Sequence, residues 1–150
     1  MSKIYTTPVV DQISAANIYI DPSVWSKIIV HVKGGKPNWL AIHLFSRILY
    51  WYTRSAVYDE NTGRFLGYKK KFKYDKCQMS YRHIMEQMGC TYKEAREALA
   101  SLVHAKLVTN EKRHVNGFGN LMFIEPIPAN ILCIINPKGV HKRTPSVPAG

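Results

Sequence analysis

The chain has 150 residues, 46% hydrophobic and 21% charged, a balance that supports one globular core and argues against a fibrous or wholly disordered chain. Lys and Arg number 21 against 10 Asp and Glu, a formal net charge of +11 at pH 7. A field of that sign draws polyanions, and nucleic acid is the usual partner of so basic a domain. Cys77, Cys90 and Cys133 form no CxxC pair, so neither a zinc ribbon nor a disulfide framework is supported, and reduced thiols are expected.

Met1 to Gln12 is polar and broken by Pro8, which is no signal peptide. The longest apolar-rich stretch, Leu40 to Tyr52, carries His43, Ser46 and Arg47 and is too short to span a bilayer. The expectation is a soluble cytoplasmic, or nucleoid-associated, protein with no membrane partner.

In chain order, residues 1–16 read as a loosely held arm without a clear period. Asn17 to Ile20 is strand-like, and Asp21-Pro22 is an N-cap with proline at the first helical position, the start of a short helix. Ile28 to Val32 fits either an extension of that helix or a strand, and Gly34 to Pro37 is a break. Asn38 caps a first long helix, Trp39 to Thr53, in which Leu40, Ala41, Leu44, Phe45, Ile48, Trp51 and Tyr52 share one broad face. Ile42 and Leu49 fall opposite. A helix apolar on both sides is either sandwiched in its own domain or half of an oligomer contact, so a homodimer through Ile42 and Leu49, or through the N-terminal segment, is a candidate assembly.

Asp59 to Gly63 is turn chemistry. Phe65 to Tyr74 reads as extended, with Lys70, Phe72 and Tyr74 on one side and Lys69, Lys71 and Lys73 on the other. A second helix runs from Ser80 to Met88, with Tyr81, Ile84 and Met88 inward. Gly89-Cys90 turns the chain, and Thr91 with Glu94 three residues on is a capping box. The third helix runs to about Ala105, with Ala95, Ala98, Leu99, Leu102 and Val103 inward. Leu107-Val108 opens a strand, Asn116 to Asn120 is a flexible tip, Leu121 to Ile124 returns, and Pro126 and Pro128 end the regular part.

The segment Met79 to Val108, MSYRHIMEQMGCTYKEAREALASLVHAKLV, resembles winged helix-turn-helix DNA-binding domains at each landmark: short helix, glycine turn, capped second helix with small inward residues, and exit into a hairpin. Helices that cross steeply need residues as small as Ala95 and Ala98 where they touch. The expected fold class is therefore α+β: a three-helix core with a small antiparallel sheet and wing, plus an extra N-terminal strand or short helix. It should span 17–135, between the arm and a disordered, basic, Pro-rich tail over 136–150.

In that reading Tyr92 to His104 is the recognition helix. Lys93, Glu97, Ala100 and His104 point outward with Tyr92 and Arg96 at the flanks, and donors on Lys93 and Arg96 suit guanine edges or phosphates. Glu97 could accept from a cytosine amine or pair with Lys93. The wing offers Lys112, Arg113, His114 and Asn116 to the backbone or minor groove. Phe118 is expected to pack under the hairpin, and Arg82 on the second helix is a further contact residue. Lys69, Lys70, Lys71 and Lys73 form the densest basic run, read either as phosphate contacts or as an edge strand guarded against aggregation. With about five phosphate contacts, log affinity should fall with log salt at a slope of about −4 to −5.

Two stretches also resemble the winged-helix N-terminal domains of phage replisome organisers and plasmid replication initiators. One is Leu44 to Trp51 with its terminal Tyr-Trp. The other is the succession from Asp59–Gly63 through Phe72 and Ser80 to Gly117–Asn120. The likeness covers roughly Ile18 to Ile127 and implies binding to origin repeats, often as dimers, with replication proteins as partners. Such proteins usually add a C-terminal recruiting domain. Here a Pro-rich tail stands in its place, a departure that puts recruitment in doubt.

No enzyme constellation assembles. His31-Val32-Lys33 lacks the second histidine of a relaxase pair, no phosphate-binding loop or GxSxG is present, and Asp11, Asp21, Asp59 and Asp75 are scattered. His83 and Glu86 give at most two ligands, too few for a metal, so neither cofactor nor metal is implied. Three functions stand: origin or operator DNA binding in replication initiation, transcriptional regulation on the same fold, and protein binding through Ile42, Leu49 and the tail.

Overall fold

The computed structural model describes residues 5–136. The elements are α1 (Pro8–Ala16), α2 (Pro22–Trp25), α3 (Trp39–Trp51), β1 (Ser55–Tyr58), β2 (Phe65–Lys69), β3 (Cys77–Gln78), α4 (Tyr81–Met88), α5 (Tyr92–His104), β4 (Val108–Val115), β5 (Gly119–Pro126) and α6 (Pro128–Ile135). The fold is α+β. α3 and α5 pack against a three-stranded antiparallel sheet of order β3-β5-β4, and β1-β2 forms a separate two-stranded sheet.

Most helix starts follow from local capping. Thr7, Asp21, Asn38, Ser80 and Thr91 each accept a backbone N–H of the first turn through a side-chain oxygen, satisfying donors that have no partner inside the helix. Two helices lie where none was expected. The segment read as a loose arm is α1 from Pro8 onward, with Val10 and Ile13 in the core; two buried residues in nine positions are too few to register as a period. Of the two prolines expected to end regular structure, Pro126 closes β5, whereas Pro128 stands in the first turn of α6, where a missing N–H costs nothing. Residues 17–20 are not a strand, and Tyr19 is exposed. The tail reading falls outside the described residues from 137 onward.

α3 is the centre of the core. Leu44, Phe45 and Ile48 are buried, and so are Ile42 and Leu49. The Trp25 ring lies 5.0 Å from Phe45, and Leu49 shares a cleft with Ile13, Ile18 and Ile20 of the N-terminal segment. The two-sided helix is thus sandwiched within its own chain. Ile42 and Leu49 are each 5% exposed, so neither supplies the dimer or partner surface expected of it. Burial of such a side chain contributes roughly 1.5–3 kcal/mol, which favours the intramolecular cover.

Beyond α3, Tyr52 joins the sheet to the helices. Its hydroxyl donates to the Ile124 carbonyl at 2.5 Å and accepts from the Cys77 amide at 2.9 Å. Burial pushes its phenol well above the ordinary range, so it stays a neutral bridge between β3 and β5.

Extended structure after Phe65 stops at Lys69 rather than Tyr74, and residues 71–76 form a bent loop. The cause is Lys70, which is 8% exposed. Its ammonium donates to the carbonyls of Phe72, Lys73 and Tyr74 at 2.9, 2.8 and 2.7 Å and winds the loop around itself.

Candidate nucleic-acid interface

α5 is set in place at both ends. At its start Thr91 Oγ1 accepts from the Glu94 amide at 3.1 Å, while the Thr91 amide donates to Glu94 Oε1 at 2.9 Å. These reciprocal bonds fix the first helical residue. Gly89, at φ 63, takes the left-handed conformation that closes α4. At the other end Lys106 adopts φ 61, the Leu107 amide donates to the Leu102 carbonyl at 3.1 Å, and Asn130 Nδ2 donates to the Lys106 carbonyl at 2.8 Å. This Schellman-type stop puts buried Leu102 and Leu107 at the exit into β4.

Between those ends Ala95, Ala98, Leu99 and Leu102 are buried. Lys93, Arg96, Glu97, Ala100 and His104 are exposed, as is Tyr92. Val103, expected inward, is 40% exposed at the flank of the stripe. Tyr92 meets Tyr81 of α4 edge to face at 5.5 Å and carries the Arg96 guanidinium 5.3 Å from its ring centroid. The start of the helix therefore presents a braced arginine rather than a free one.

The pairing of β4 with β5 runs from Val108↔Pro126 to Val115↔Gly119, with Asn116, Gly117 and Phe118 at the tip. Alternation along β4 divides the expected wing residues. Lys112 lines a cleft of about 310 Å³ with Ser80, Tyr81 and Asn120, on the α4 side. His114 is exposed, with Nδ1 3.3 Å from Asn120 Oδ1, and Asn116 is exposed. Arg113 points the other way. It donates to both Asp75 oxygens at 2.6 and 3.0 Å and to Glu111 at 2.8 and 3.1 Å, over the Phe123 ring at 4.5 Å. Those bonds hold Asp75 and Glu111 down at about 2. Arg113 is an internal clasp, not a free contact residue. Phe118 also departs from expectation: it is 69% exposed at the tip, not packed beneath the hairpin.

The basic run divides as well. Lys70 is consumed by its own loop. Lys71 donates to Ser55 Oγ at 2.9 Å and lies 5.2 Å from the Tyr50 ring, where partial burial lowers its pKa. Lys69 and Lys73 are exposed. Because Asp75 ties this loop to Arg113, it meets the face of β4 opposite Lys112, so the run does not continue the Lys112 surface. Arg82 is exposed on α4, paired with Glu86 at 3.5 Å.

One component escaped the sequence reading. The Val30↔Pro37 bridge and the His31 amide bond to the Lys36 carbonyl at 2.8 Å close a turn through Gly34 and Gly35, at φ 90 and 69. His31, Val32 and Lys33 of this turn line a cleft of about 380 Å³ with Glu97 and Ala100 of α5. The glycine break was legible in the sequence; that it brings His31 and Lys33 alongside a helix sixty residues later was not. Among the described residues, no three His, Cys, Asp or Glu are grouped to hold a metal, and no helix is long and apolar enough to cross a membrane. No protein-family model, no curated protein and no solved structure matches the chain.

Proposed function

We propose that the chain is a winged helix-turn-helix protein that binds double-stranded DNA, with α5 in the major groove and the β4–β5 hairpin as the wing. The observation that carries this reading is the α5 surface. Lys93, Arg96, Glu97, Ala100 and His104 form a solvent-facing side of a helix braced at both ends, with Lys112 on the α4 side and His31 and Lys33 beside its later turns. An α-helix fits the major groove, and cations flanking it can meet the phosphates that set register. In this reading Arg96 reads a base, while Lys112 and Lys33 hold the backbone. Arg113 and Lys70 do neither.

Initiation of phage or plasmid replication is the biological role we favour, on the resemblance of Leu44–Trp51 and of the Asp59-to-Asn120 succession. A footprint over iterated origin repeats supports it; one promoter palindrome supports a transcriptional regulator instead.

The direct test is selection of bound duplexes from a random pool at two salt concentrations, followed by affinities of two variants. Arg96→Ala should lose roughly 1–3 kcal/mol of discrimination at one base pair, while Lys112→Ala should weaken all duplexes alike and reduce the salt slope by about 1. Recovery of no enriched sequence and no salt-dependent affinity would end the proposal.

A further inference from the structure

The β1–β2 hairpin is built around an irregularity with a consequence for its surface. Register runs Ser55↔Lys69, Ala56↔Tyr68 and Val57↔Gly67, then jumps to Tyr58↔Phe65. In a regular strand, residues 65 and 68 would face opposite sides of the sheet. The extra residue at Leu66, next to Gly67 at φ 140, is a β-bulge that re-aims the chain and turns Phe65 onto the side of Tyr68 and Tyr58. The Phe65 ring then lies 5.7 Å from Tyr58 and 5.1 Å from Tyr68, both edge to face. Tyr58, Phe65 and Tyr68 are 59%, 48% and 42% exposed, whereas Ser55, Val57 and Gly67 on the other side are half-buried. The bulge thus assembles a three-ring strip in water.

Cations frame the strip. The Arg54 guanidinium lies 4.1 Å from the Tyr68 ring centroid and 3.7 Å from Asp11, and Arg64 is exposed on the approach to β2, while Lys69, paired with Ser55, lies at the strand end on the other side. From residue 54 to residue 73 the chain has six Lys or Arg against Asp59 and Glu60; of the six, Lys70 is held by loop carbonyls and Lys71 by Ser55. A second copy docking here would bring the same excess of positive charge onto itself. A polyanion whose own rings can stack meets both features: bases on the aromatic strip and phosphates on the flanking cations. The geometry points to the outer face of the β1–β2 hairpin as a binding surface for single-stranded nucleic acid, separate from the α5 surface and independent of the duplex-binding reading.

The test uses the full chain and labelled strands of about 20 nucleotides, oligo-dT and oligo-U, beside a duplex of the same length, read by fluorescence anisotropy. Tyr58→Ala combined with Phe65→Ala should weaken single-strand binding by at least about fivefold per ring and leave the duplex affinity unchanged. Tyr58→Phe combined with Phe65→Tyr keeps both rings and should bind as the wild type does, which separates stacking from misfolding. Loss on both oligonucleotides assigns the surface to either sugar, and loss confined to one assigns it to that one. The inference is overturned if the alanine variant keeps its single-strand affinity, if the wild type binds neither strand, or if the duplex loses affinity equally. A change in sedimentation from dimer to monomer with single-strand binding intact also overturns it, in favour of a second copy on the strip.

Discussion

Asn38 Nδ2 donates to Ser101 Oγ at 3.0 Å, 63 positions away in sequence, and both side chains are buried. The same Asn38 accepts the Ala41 amide at 3.1 Å as the cap of α3. One amide therefore starts the central helix and fastens it to the side of α5 that faces away from the proposed duplex.

Asn38→Ala removes a cap and strands the Ser101 hydroxyl in the core. The expected cost is about 2–3 kcal/mol in denaturant unfolding. Ser101→Ala should cost about 1–2 kcal/mol, and the double variant less than the two together because the shared bond is lost once. Strict additivity would show that the two side chains do not act as a pair.

Lys70→Gln should destabilise the fold by about 1–3 kcal/mol, since three loop carbonyls lose a charged donor. The salt dependence of duplex binding should stay as in the wild type. A shallower salt slope with unchanged stability would return Lys70 to the role of a phosphate contact.

Tyr52→Phe leaves the Cys77 amide and the Ile124 carbonyl without their shared partner, at a cost of about 1–3 kcal/mol. Amide hydrogen exchange at Cys77 should accelerate more than in the middle of β4. Unchanged exchange there would mean that the hydroxyl does not hold β3 to β5.

Acid should loosen the clasp between β4 and the 71–76 loop. Asp75 and Glu111 are lowered to about 2 from 3.8 and 4.5, chiefly by hydrogen bonds from Arg113. Carboxylates depressed in the folded state contribute stability that is complete above their unfolded values and lost as pH falls towards about 2. Glu125 acts in the opposite sense, raised by burial. Tm should therefore decline from about pH 5 to about pH 2, and Arg113→Leu should flatten that decline. An equally steep decline in the variant would place the acid sensitivity elsewhere.

Much of the candidate interface was legible because its causes are local. The Thr91–Glu94 capping box, the Gly89 turn, the Asp59–Gly63 turn and the inward spacing of Ala95, Ala98 and Leu102 each depend on residues a few positions apart. From them follow where α5 begins and which side carries Lys93 and Arg96. The β1–β2 bulge left no such trace, because a change of register is a relation between two strands.

What the fold alone decided was which groups remain free. In sequence Lys70 and Arg113 look like their neighbours Lys69 and Lys112, and Ile42 and Leu49 look like an interface. Lys70 is taken up by three carbonyls of its own loop, and Arg113 by Asp75, 38 positions away. Leu49 is 5% exposed and shares a cleft with Ile13 and Ile18. A side chain's alphabet and spacing determine the face of an element on which it lies; whether that face meets water, a carboxylate or another helix is set by segments distant in the chain, which only the packed molecule brings together.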